Sequence, residues 1–94
     1  MIVFDNIVEI ILYTQDRCGY CVLLKNKLAE WGYSYTEKNI MYDAEAKKFI
    51  KEEGHTTVPQ LYYNSSDMLK GDSVYLTREI LIERIASRLT EEWP

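Results

Sequence analysis

The chain predicts an α/β fold in the order β-α-β-α-β-β-α, one mixed four-stranded sheet flanked by helices, within a single domain over residues 1–94. Three observations carry that prediction. Two strand-like runs are each followed by a segment of helical period. A glycine stands just past the end of each of those helical segments. A third apolar run leads into a turn cluster and a short return, the pattern of an antiparallel hairpin.

Residues 1–6 are either a lead-in or an extension of the first strand. Residues 8–14 (VEIILYT) are rich in β-branched and apolar side chains and read as a buried strand. Asp16 is a candidate N-cap for a helix from about Cys18 to Trp31, which Gly32 stops. Within it Cys21, Leu24, Leu28 and Trp31 fall at i, i+3, i+7 and i+10 on one apolar stripe. Residues 33–40 (YSYTEKNI) alternate and predict a second strand, so the first strand–helix–strand unit calls for a right-handed crossover and a parallel pair. Asp43 caps a second helix through about Glu53, with Ala46, Phe49 and Ile50 inward, and Gly54 ends it. Val58-Pro59 precedes a third strand, residues 60–63. Residues 64–67 form the turn cluster and 68–70 the return strand. Gly71-Asp72-Ser73 breaks the chain again. The last helix starts after Ser73 or Thr77, carries Ile82, Ile85 and Leu89 inward with Leu81 flanking them, and reaches about Thr90.

Cys18-Gly19-Tyr20-Cys21 holds the only two cysteines of the chain. A C-x-x-C at a strand-to-helix junction that opens a βαβ pattern reads as a redox dithiol. The apolar stripe turns Cys21 toward the core. Cys18 sits in the first turn, where unpartnered N–H groups and the positive end of the helix dipole stabilise an anion. Such sites lower a cysteine pKa from about 8.5 toward roughly 3.5–7.5. Only the thiolate attacks a disulfide, which makes Cys18 the nucleophile and Cys21 the resolving thiol. Asp16 and Arg17 act on that thiolate in opposite senses. Residues three apart on a regular helix hold their Cβ atoms about 5–6 Å apart, whereas a disulfide needs about 3.5–4.5 Å. Closing the ring therefore calls for a local distortion, which Gly19 absorbs, and favours an easily reduced bond.

The plainer alternatives weigh less. A structural zinc site takes four ligands, and the chain offers two cysteines and one histidine, His55. A disulfide that closes so short a loop stabilises little by chain entropy. His55 lies in a loop and reads as a solvated surface residue rather than a proton donor. Thr57-Val58-Pro59 taken alone is an ordinary edge turn.

A net charge of −4, with no basic cluster beyond Lys47-Lys48, argues against a nucleic-acid surface. No apolar run approaches the length of a membrane span. The N-terminal stretch carries Asp5 and Glu9 and lacks a basic leading region, so it reads as strand rather than signal peptide. The expected setting is the reducing cytoplasm, where a C-x-x-C is catalytic rather than structural.

These residues resemble the glutaredoxin family of the thioredoxin-like fold. Cys18-Gly19-Tyr20-Cys21 is similar to its C-P-Y-C, residues 54–60 (GHTTVPQ) to its G-x-x-T-V-P loop, and Gly71-Asp72-Ser73 to part of its G-G-x-D-D segment. The resemblance implies a cis bond before Pro59, with that proline beside the dithiol and the Val58 backbone free to pair with an extended peptide. It implies that the cysteinyl part of glutathione binds there, with Tyr20 and Thr57 lining the groove and Asp72 and Ser73 receiving the γ-glutamyl end. The chain departs from the family at three places. Gln15 stands where many relatives have a lysine that meets a glutathione carboxylate, and Arg17 offers a substitute charge. Gly19 replaces proline and leaves the loop less rigid. One glycine, Gly71, stands where two are usual.

The resulting expectation is a monomeric glutathione-dependent thiol–disulfide oxidoreductase with no bound cofactor. Glutathione is its reductant, and disulfide-containing proteins are its clients, ribonucleotide reductase among those the resemblance suggests. The rival readings are a thioredoxin-like carrier reduced by a flavoprotein, an iron–sulfur carrier bridging a cluster through Cys18 and glutathione, and a catalytically idle binding module.

Overall fold

The computed structural model describes residues 10–71 and 75–91, with the side chains of the last helix described as far as Ser87. The readings on residues 1–9, on Asp72 and Ser73, and on the Leu89 side chain lie outside the described residues. Within them the order is β1 (Ile10–Thr14), α1 (Gly19–Glu30), β2 (Thr36–Asn39), α2 (Ala44–Glu52), β3 (Gln60–Tyr63), β4 (Ser66–Asp67) and α3 (Arg78–Glu91). The expected mixed four-stranded sheet forms in the order β2-β1-β3-β4. β1 pairs parallel with β2, Leu12 opposite Glu37, and antiparallel with β3, Leu12 opposite Leu61.

Side chains alternate across that sheet and build two cores. Ile10, Leu12, Leu61 and Tyr63 point to one face, where Leu24 and Leu28 of α1 and Leu81 of α3 close over them. Tyr13 and Tyr62 point to the other, against Ala46 and Ile50 of α2, with Phe49 stacked on Tyr13 at 5.2 Å between ring centroids. The stripe expected on α3 is shifted by one position. Leu81 is fully buried while Ile82 is exposed and Ile85 packs only at the margin. The Thr77 hydroxyl, accepting from Ile80 N at 3.2 Å, starts the helix and sets that phase.

Both early helices stop as their glycines require. After α1, Gly32 takes a φ of +82° while Gly32 N donates to Ala29 O and Tyr33 N to Leu28 O. After α2, Gly54 takes a φ of +84° with the matching bonds from Gly54 N to Lys51 O and from His55 N to Ile50 O. These are Schellman closures. They also explain why β2 starts three residues later than its alternation suggests, since Tyr33 is still tied to the helix. The hairpin differs from expectation in the same local way. Asn64 and Ser65 alone make the turn, both with positive φ (47° and 73°), so Ser66 and Asp67 are strand. Met68 adds one further bond, to Leu61 O at 2.8 Å, before the Asp67 carboxylate collects Leu69 N and Lys70 N and ends the return.

Candidate active site

The segment after β1 decides the geometry of the dithiol. Arg17 adopts a left-handed φ of 58°, which turns the chain sharply and makes Gly19 the first residue of α1. The N-cap is therefore Cys18 and not Asp16. Cys18 is extended (φ −117°, ψ 103°), and its Sγ accepts a hydrogen bond from Cys21 N at 3.1 Å. Asp16 faces away, accepting from Asn39 Nδ2 at 3.0 Å and from the Tyr42 hydroxyl. Cys18 and Cys21 are joined in a disulfide with a Cα–Cα distance of 5.2 Å. The departure from helical geometry that this needs lies at the extended Cys18 rather than at Gly19, which is already helical. Cys21 is 1% exposed, on the stripe with Leu24 and Leu28, whereas Cys18 is half-buried.

The Val58–Pro59 peptide bond is cis. Cys18 Sγ lies 3.9 Å from Val58 O. An oxidised sulfur has no proton to donate, so this is a packing contact, and it sets the loop against the dithiol. Gln60, buried at the start of β3, donates from Nε2 to Thr57 O at 3.1 Å and braces the loop from below. Tyr20, Thr57, Val58, Pro59 and Gln60, with Leu69 and Gly71, line a cavity of about 270 Å³ beside the dithiol. A second cavity, of about 450 Å³, lies on the other side of Thr57 and Val58 and reaches Gln15, Lys47, Lys51 and His55. A third, of about 390 Å³, holds Gln15, Arg17 and both cysteines with Lys25 and Glu37. The structure thus gathers Tyr20, Thr57, Val58 and Pro59 into one groove. Gln15 and Arg17 stand outside it, Gln15 at the rim shared by the two larger cavities.

Sequence reasoning missed Lys47 and Lys51 as lining residues. Their spacing of four, flanking the inward Ile50, was the available signal for a shared helix edge. It also missed the group around Glu37, whose Oε2 meets Lys25 Nζ at 2.8 Å and the Thr14 hydroxyl at 2.7 Å. The Lys25 and Thr14 hydrogen bonds hold the Glu37 carboxyl below its usual range, outweighing the effect of partial burial. No periodicity joins Thr14, Lys25 and Glu37; only the β1–β2 register and the α1 crossover do. His55 is not the solvated residue expected of a loop. The Schellman closure of α2 pins its backbone, and its Nε2 lies 2.7 Å from the Tyr62 hydroxyl and 4.0 Å from Asp67. Burial, followed by the charges of Asp67 and Glu53, pushes the Tyr62 phenol above its ordinary range.

A dithiol at a helix N-terminus, packed against a cis-proline loop beside an open groove, is an arrangement for exchanging disulfides with an extended thiol substrate. The model of the family described as Glutaredoxin matches residues 10–67. The chain belongs to the glutaredoxin family. Like other glutaredoxins it is a thiol–disulfide oxidoreductase. It is 34% identical over 65 residues to Glutaredoxin 3 of Escherichia coli K12, which covers 68% of this chain and 78% of that protein. Its fold is similar to that in a crystal structure of a buckwheat glutaredoxin–glutathione complex. The TM-score is 0.64 at 19% identity, over 89% of this chain and 78% of that one. It is also similar to glutaredoxin 1 from Francisella tularensis complexed with cacodylate, with a TM-score of 0.55 at 20% identity, over 90% of this chain and 99% of that one. Among the described residues of this glutaredoxin, no helix is long and apolar enough to cross a membrane.

Proposed function

We propose that this glutaredoxin takes its electrons from glutathione and reduces glutathione mixed disulfides and protein disulfides, as a monomeric single domain in the reducing cytoplasm. The observation that carries this reading is the 3.9 Å contact between Cys18 Sγ and Val58 O. It puts the candidate nucleophile where backbone groups of an extended cysteinyl peptide would pair beside Pro59, in the groove lined by Tyr20 and Thr57. Glutathione is such a peptide, with a carboxylate at each end. Lys47 and Lys51, in the cavity just beyond Thr57, supply positive charge for one of them, so the absence of lysine at Gln15 is offset from α2. Asp72 and Ser73 are assigned to the γ-glutamyl end by the family resemblance alone. The buckwheat relative, solved as a glutathione complex, supports the same reading.

In the reaction the Cys18 thiolate attacks the glutathionyl sulfur of a mixed disulfide. A Cys18–glutathione bond forms, the bond to the client breaks, and the client leaves as a thiolate that takes up a proton. A second glutathione thiolate then attacks the glutathionyl sulfur, so that glutathione disulfide leaves and the Cys18 thiolate is restored. Alternatively the Cys21 thiolate attacks Cys18 Sγ, releasing reduced glutathione and leaving the Cys18–Cys21 disulfide for further glutathione to reduce. The test is turnover of a small glutathione mixed disulfide coupled to glutathione reductase, for the wild type, Cys18→Ser and Cys21→Ser. Loss with Cys18→Ser and survival with Cys21→Ser is the expected result. An inert wild type overturns the reading, and turnover with a flavoprotein thioredoxin reductase would then identify the electron source.

A further inference from the structure

The glutathione groove occupies one side of the dithiol. On the other side is the 390 Å³ cavity that both cysteines share with Lys25 and Glu37. We propose that Lys25 and Glu37 form a positioning pair that sets how readily the thiol of Cys21 ionises, Lys25 promoting the thiolate and Glu37 restraining it. This rests on the reading of Cys21 as the resolving thiol.

Cys21 is 1% exposed, so its thiolate has little water to solvate it and depends on fixed charges nearby. Lys25 follows it by one helical turn on α1, at the spacing that brings Cβ atoms within about 5–6 Å. The ammonium does not swing freely, because Glu37 Oε2 holds Nζ at 2.8 Å. That same oxygen accepts from the hydroxyl of Thr14, itself 1% exposed on β1, so the pair is fastened to the sheet rather than adrift on the surface. The other charged groups in the cavity wall are Asp16 and Arg17, on the loop before α1. From the opposite side, Thr57, Val58 and Pro59 bring no ionisable side chain against the dithiol. Of the charged residues lining this cavity, Lys25 and Glu37 are therefore the two that come from a helix and a strand rather than from the loop, and they act on Cys21 with opposite sign.

The step they govern is the intramolecular one. Cys21 gives its proton to solvent, and its thiolate attacks Cys18 Sγ of the Cys18–glutathione mixed disulfide. The Cys18–Cys21 bond forms, the bond to glutathione breaks, and the departing glutathione thiolate takes both bonding electrons and is then protonated. A more ionised Cys21 speeds this route relative to attack by a second glutathione.

A salt bridge that merely ties β2 to α1 makes a different prediction from a pair that competes for the thiol. The experiment is an ultraviolet thiolate titration of Cys21 in a Cys18→Ser background, carrying Lys25→Gln, Glu37→Gln, both together, or Lys25→Arg. The expected result is an upward shift for Lys25→Gln and a downward shift for Glu37→Gln. Each is roughly half a unit, about a threefold change in thiolate fraction at low pH, with the size limited by solvent screening of partly exposed charges. The double variant returns toward the parent, and Lys25→Arg titrates with it. In the intact dithiol, the pH profile of single-turnover glutathione release from Cys18 moves in the same two senses. Shifts of one sign for both substitutions, or no shift in either, overturn the inference. A wild type inert toward the glutathione mixed disulfide overturns the glutathione reading instead and leaves the Cys21 titrations readable.

Discussion

Gly19 stands at the first helical position of α1, directly after the Cys18 cap. A proline there loses nothing, because the amide at that position has no intrahelical partner, and its fixed φ suits the helix. Cys18 is already in the extended conformation that a following proline demands. A Cβ at Gly19 would meet no atom within 4 Å. Gly19→Pro is therefore expected to stabilise the protein by about 0.5–1 kcal/mol through the unfolded chain. Urea denaturation should show a higher midpoint at an unchanged slope, and a lower midpoint would mean that α1 starts elsewhere. At this scale the chemistry was legible and the geometry was not. Two cysteines three apart and a Thr-Val-Pro segment are visible as letters. That Cys18 rather than Asp16 caps the helix depends on the left-handed turn at Arg17, a conformation that residue type alone does not announce.

The elements were largely readable because their signals are local. Gly32, Asp43 and Gly54 mark ends and starts where the bonds indeed close. The misplacements came where a tertiary or turn constraint overrode alternation. Tyr33 is held by α1, and the β3–β4 turn is two residues long instead of four. That turn is a candidate for improvement. Asn64 and Ser65 both sit at positive φ, and the second position of such a turn favours glycine. Ser65→Gly removes a left-handed penalty of about 1 kcal/mol. For a domain of this size the expected gain in Tm is about 4–8 °C per kcal/mol. A thermal melt that does not move would show that the Ser65 side chain compensates locally.

At the scale of the whole molecule, α1 and α3 cover one face of the sheet and α2 the other, so the dithiol opens where β1, α1 and the loop before β3 converge. The ion pair between Lys25 and Glu37 joins α1 to the edge strand β2 across that convergence, and it makes stability depend on pH. The Glu37 carboxyl titrates lower in the folded protein than in the unfolded chain. Its contribution is complete above the unfolded value of about 4.3 and is lost as the pH falls from there through the folded one. Between about pH 5 and 3 the wild type should thus lose more stability than Glu37→Gln, measured by denaturation at each pH; parallel curves would remove Glu37 from the account. The sulfur that would react also closes the N-terminus of α1 by accepting from Cys21 N. Serine is among the preferred residues for that second duty, while alanine forfeits it at a cost of about 1 kcal/mol. A descendant that exchanges Cys18 for serine falls silent as an oxidoreductase yet keeps its helix and its groove. The architecture can therefore outlive its chemistry and be recruited by evolution as a plain peptide receptor.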